Sequence, residues 1–147
     1  MEPHLLQHIR DKLTVIDDII GKIEQHVRQS ESSWYRYNNA LDSPTEASQE
    51  YIYYEGYIRD ATKAIEQLRV EIRSLLSKSL EKPIESYLNA ILELIGAIKA
   101  EYSKGSYKDE KGRSIPYRVD KIHILEQTRR IKNNMTSIRE ILTKYVI

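Results

Sequence analysis

The chain has 147 residues, 23 Lys and Arg against 22 Asp and Glu, a formal net charge of +1, 40% apolar residues and no Cys. That composition suits a single domain, residues 1–147, and excludes a disulfide scaffold, Cys-ligated zinc, iron–sulfur clusters and thiol catalysis. No apolar run approaches the ~18 residues of a membrane span, and the start Met-Glu-Pro-His carries no signal core, so a cytoplasmic protein with no membrane partner is expected.

Helical periodicity runs through the chain. Leu6, Ile9, Leu13, Ile16, Ile20, Ile23 and Val27 alternate by three and four, a heptad stripe opened by Pro3 at the first helical turn. Ser30-Glu31-Ser32-Ser33 is polar and poor in helix formers, so the first helix is expected to fray there and leave 30–43 as a long connection. Ser43-Pro44-Thr45-Glu46 reads as a capping box with Pro at N1. The second stripe is Ala47, Tyr51, Tyr54, Ile58, Ala61, Ile65, Leu68, Ile72 and Leu75, with Gly56 inside it as a point of close backbone approach or a neutral position.

Pro83 either ends the second helix or kinks one long helix. A break is preferred, because it lets the apolar faces fold back on one another. The third stripe is Ile84, Leu88, Ile91, Ile95, Ile98 and Tyr102. Residues 103–115 form a loop with Gly105 and Gly112, and Pro116 is expected to open the last helix, whose stripe is Ile124, Thr128, Ile131, Met135, Ile138, Leu142 and Tyr145. No alternating strand pattern competes. The fold class is therefore all-α: an elongated antiparallel bundle of four helices, or three if Pro83 only kinks. Leu5, Val15, Ile19, Ile52, Val70 and Leu76 lie off the stripes. They widen the core or form a seam for a second copy, and the second option makes a homo-oligomer the expectation.

Seven of the 12 aromatics fall between Trp34 and Tyr57. Tyr51 and Tyr54 sit on the stripe and read as core. Trp34, Tyr35, Tyr37, Tyr53 and Tyr57 offer rigid area with a polar tip and are the candidate surface for a protein partner. Charge is uneven, −4 over residues 31–62 and +6 over 104–147. Charge matching between the two segments is the preferred account. The alternative is nucleic-acid binding by a basic C-terminal face, through Lys111, Arg113, Arg129 and Arg130.

Arg118-Val-Asp-Lys-Ile-His123 resembles the R-x4-H motif of HEPN-type helical ribonucleases, with Val119 in place of the polar residue often found after the Arg. The resemblance implies a dimer in which Arg118 stabilises the scissile phosphate and His123 transfers protons. If both residues lay on one ideal helix their side chains would stand about 140° apart. Gln7-His8-Ile9-Arg10-Asp11-Lys12-Leu13-Thr14-Val15-Ile16 resembles the phosphoacceptor stretch of sensor histidine kinases. Gln7 takes the acceptor's place, which leaves at most a dimeric, non-phosphorylated relative. His4, His8 and Asp11 share metal-ligand spacing, and Asp120 with His123 forms one i, i+3 carboxylate–histidine pair, half of what a di-iron bundle uses. Neither is read as a site: no metal, cofactor or catalytic residue is assigned, and the expected function is a non-enzymatic interaction module.

Overall fold

The structure is a computed structural model that describes residues 1–145. Four helices follow one another up and down: α1 (Pro3–Asn39), α2 (Pro44–Leu76), α3 (Lys82–Tyr102) and α4 (Lys121–Leu142), closed by a 3-10 turn at Thr143–Tyr145. Between α3 and α4 lies a two-stranded antiparallel hairpin, β1 (Ser106–Lys108) and β2 (Ser114–Pro116). Each helix packs antiparallel on its neighbour in the chain, and α4 returns to α1, so the four enclose one core. Among the described residues no helix is long and apolar enough to cross a membrane.

The stripes supply that core. Ile16, Ile20 and Ile23 of α1 and Leu68 and Ile72 of α2 belong to one buried cluster, which Ile91, Ile95, Ile131 and Met135 complete from α3 and α4. The off-stripe residues divide. Ile19 is buried, and Leu5 and Leu76 pack half-buried on the core, whereas Val15, Ile52 and Val70 face solvent. A Cβ added at Gly56 would meet nothing within 4 Å, so that glycine serves no close approach. Pro83 does break the helix: it occupies the first turn of α3 behind an extended Glu81.

Three expectations are corrected. First, α1 does not fray at residues 30–33 but continues to Asn39, so the connection to α2 shrinks to four residues. Ser30 and Ser33 are fully buried there, and the Ser30 hydroxyl donates to the Val27 carbonyl at 2.9 Å. Burial of small side chains against neighbouring elements overrides weak helix propensity. Second, the Ser43 side chain makes no capping bond; Pro44 starts α2, and Ala47 N–H reaches only the Ser43 carbonyl. Third, the 103–115 loop contains a hairpin, and Pro116 ends β2 instead of opening α4. Asp120 opens α4 by accepting from His123 N–H at 3.1 Å.

At a rise of ~1.5 Å per residue, the 37- and 33-residue helices α1 and α2 outrun the 21- and 22-residue α3 and α4 by roughly 20 Å. The overhanging head of α1 and α2 has no helical partner on that side. A strap, the segment from Ser103 to Asp120, covers it.

Candidate functional site

The head is built on the aromatic cluster. Trp34 Nε1 donates to the Pro116 carbonyl at 2.8 Å, the Tyr37 hydroxyl to Ser114 O at 3.2 Å, and the Tyr54 hydroxyl to Tyr117 O at 2.8 Å. The ladder explains why the Ser114 and Pro116 carbonyls are available. Tyr117 N–H bonds Gly105 O and Asp109 N–H bonds Arg113 O. Ser114 and Pro116 are therefore the alternate residues, whose carbonyls point away from β1. Pro116 lacks only an N–H that would also have pointed outward. Ile115 and Val119 bury their side chains beneath the strap.

The hairpin tip is equally determined. Gly112 N–H bonds Asp109 O at 3.0 Å and Gly112 takes φ +76°, a tight turn closed by a left-handed residue. Asp109 Oδ1 accepts from the Lys111 and Arg113 amides, and Oδ2 from Arg113 Nε at 2.7 Å. Burial pushes the Asp109 carboxyl upward, but the Arg113 amide and guanidinium outweigh it and hold the group below the usual range. Arg113 Nη1 then reaches Leu41 O at 2.9 Å, tying the tip to the α1–α2 turn.

The residues expected to meet a partner therefore differ in their surroundings. Trp34 and Tyr37 spend their polar tips on the strap, and Tyr37 is buried. Tyr35 and Tyr53 are exposed, and Tyr57 is half-buried. The Tyr35 hydroxyl bonds Arg118, whose guanidinium also lies 5.7 Å from the Tyr35 ring centre. Tyr54 is buried as expected, while Tyr51 is half-buried.

The basic residues carry internal carboxylate partners. Lys111 and Arg113 face Asp42, Arg129 and Arg130 share Glu126, and Lys121 meets Glu31 at 2.9 Å. Lys132 reaches Glu24 at 2.7 Å, and Glu24 also accepts from the buried Thr128. The excess of positive charge in the last third is thus matched in part by the acidic segment and by α1. Among the described residues no three His, Asp or Glu side chains cluster as metal ligands; Asp11 accepts from Gln7 and Asp120 is the α4 cap.

Arg118 precedes α4 and His123 sits in its first turn, so the 140° separation of an ideal helix does not apply to them. His123 Nδ1 lies 3.5 Å from Gln127 Nε2. Compared with protein-family models, with curated proteins and with solved structures, the chain matches none.

One feature of the head had no warning in the sequence: a cleft of about 430 Å³ between α2, the end of α3 and the strap. It exists because α3 stops at Tyr102 while α2 continues. Tyr54, Arg59, Tyr102 and Tyr117 are among its lining residues, and Glu101 forms part of its wall. The Glu101 carboxylate is 9% exposed, pairs with Lys104 and accepts from Asp120 N–H at 2.7 Å. Burial pushes the Tyr54 phenol up to about 12 and raises the Tyr102 phenol further.

Proposed function

We propose that the chain is a non-enzymatic helical interaction module that self-associates and holds a protein partner through the head of its bundle. The observation that carries this reading is where the exposed large apolar side chains lie. Of the eight among the described residues, Tyr35, Ile52 and Tyr53 stand on the overhang of α1 and α2, Tyr107 and Tyr117 on the strap, and Ile122 in the first turn of α4 next to it. Ile122 is 78% exposed and Ile52 66%. Single exposed apolar residues are ordinary, but their concentration on one end, over a backbone already fixed by the strap, suits a preorganised contact surface. Sedimentation velocity over a concentration series tests it: the fitted mass should rise above the chain mass, and Ile52→Ser with Ile122→Ser should reverse the rise.

A second reading, RNA cleavage by Arg118 and His123, is supported by the position of the α4 cap, which leaves Arg118 outside the helix and one short turn from His123. A guanidinium and an imidazole are the groups that attack by a 2′-hydroxyl uses. Cleavage of single-stranded RNA that His123→Ala abolishes would support it; intact RNA with the wild-type chain would end it. Phosphate binding by Lys111, Arg113, Arg129 and Arg130 ranks below both, since each already has a carboxylate within ion-pair reach.

A further inference from the structure

We propose that the cleft between α2 and the strap binds a small planar carboxylate, with Arg59 holding the charge at the rim and the Tyr102 hydroxyl donating from the floor. Hydrogen-bonding capacity around the cleft is unevenly spent. Of the two carboxylates that line it, Glu101 is engaged by Lys104 and the Asp120 amide, and Glu55 is exposed. The Lys104 charge is engaged by the same Glu101. The Tyr54 hydroxyl is used by Tyr117 O. On the donor side, two groups are left over. Among the described residues, Arg59 is exposed at the cleft and meets no carboxylate, and the Tyr102 hydroxyl is buried with no hydrogen-bond partner.

An unpartnered buried hydroxyl is costly to keep, so its place beside a cavity points to an occupant that supplies an acceptor. One uncommitted guanidinium matches one negative charge, and its planar fork suits a carboxylate. The walls set the shape. Tyr51, Tyr54, Tyr102 and Tyr117 line it with aromatic side chains, and Ile58 and Val119 add apolar ones. A volume of about 430 Å³ falls in the range of small-molecule sites, ~300–1,000 Å³.

Benzoate titrated into the ¹⁵N-labelled full chain is the test, with phenol, inorganic phosphate and tetramethylammonium as comparators. Benzoate should shift the amides of Gly105, Ser106, Tyr117 and Val119 to saturation, with phenol and phosphate at least tenfold weaker and the cation silent. Arg59→Gln, an exposed substitution, should weaken benzoate about tenfold. Tyr102→Phe should weaken it severalfold while the melting temperature holds or rises, which separates loss of a donor from loss of fold. Shifts that never saturate, benzoate affinity unchanged in either variant, or tetramethylammonium binding in preference to benzoate would overturn the proposal.

Discussion

The Tyr54 hydroxyl of α2 donates to the carbonyl of Tyr117 in the strap at 2.8 Å, joining two residues 63 positions apart. Tyr54 lies on the heptad stripe like any core residue, yet its tip holds a backbone group that no helix or strand satisfies. Trp34 and Tyr37 likewise place a polar tip on strap backbone, Tyr37 from a buried ring and Trp34 from a half-buried one. These three donors make the head and the strap one unit.

Tyr54→Phe should cost about 1–2 kcal/mol, because it removes one hydrogen bond and strands a part-buried carbonyl. The loss should be local. Amide hydrogen exchange should accelerate across the strap, with little change at Ile20 or Ile72 in the stem. Uniform acceleration would show that head and stem open together.

Alkaline pH offers a second check. The Tyr54 phenol is neutral in the fold and has its pKa raised from 10 to about 12 by burial. A group raised above its unfolded value stabilises the fold fully below the unfolded pKa and loses that contribution as pH climbs through the folded one. Stability should therefore fall between pH 10 and about 12, by on the order of 2–3 kcal/mol for Tyr54. Tyr102 acts in the same direction. Thermal melts of Tyr54→Phe should be less sensitive across that window; an equal slope would remove the assignment.

Acid acts on the tip of the hairpin with the opposite sign. Burial opposes the Asp109 carboxylate, but the Arg113 amide and side chain hold its carboxyl below the usual range. A depressed group contributes above its unfolded pKa and loses that contribution as pH falls through the folded value. The strap should loosen below about pH 4. Trp34, the single Trp of the chain, reports this directly, since its indole N–H bonds the strap. Its emission should shift to the red on acidification, and Asp109→Asn should show the shifted spectrum at neutral pH.

Gly112→Ala should destabilise by about 1–2 kcal/mol, because φ +76° is costly for a residue with a Cβ although no atom stands in its way. In the stem, Leu68→Ala should cost ~2–5 kcal/mol through a cavity among fully buried neighbours, lowering the melting temperature of the whole chain. If Gly112→Ala matched Leu68→Ala, the strap would be part of the main cooperative unit and would not open locally.

The stem is legible in the sequence and the head is not, for physical reasons. Ile16, Ile20, Leu68 and Ile72 announce themselves by spacing, because a helix repeats its buried face every three or four residues. The strands Ser106–Lys108 and Ser114–Pro116 are three residues each, too short to show alternation. Ser30 and Ser33 read as fraying because their burial comes from elements distant in the chain. Trp34 and Tyr37 stand out by composition, but nothing local tells that their polar tips are spent on β2 carbonyls. The cleft results from a mismatch of helix lengths, and a stripe gives no hint of where its partner helix stops.

Whether the head is a contact surface is decided by the absolute mass of the purified chain from light scattering on a sizing column. The wild type should show a mass two or more times 17.3 kDa. A variant carrying Ile52→Ser, Tyr53→Ser and Ile122→Ser should show the single-chain mass with unchanged helical circular dichroism. A wild-type mass of 17.3 kDa at every concentration would contradict a contact surface on the head.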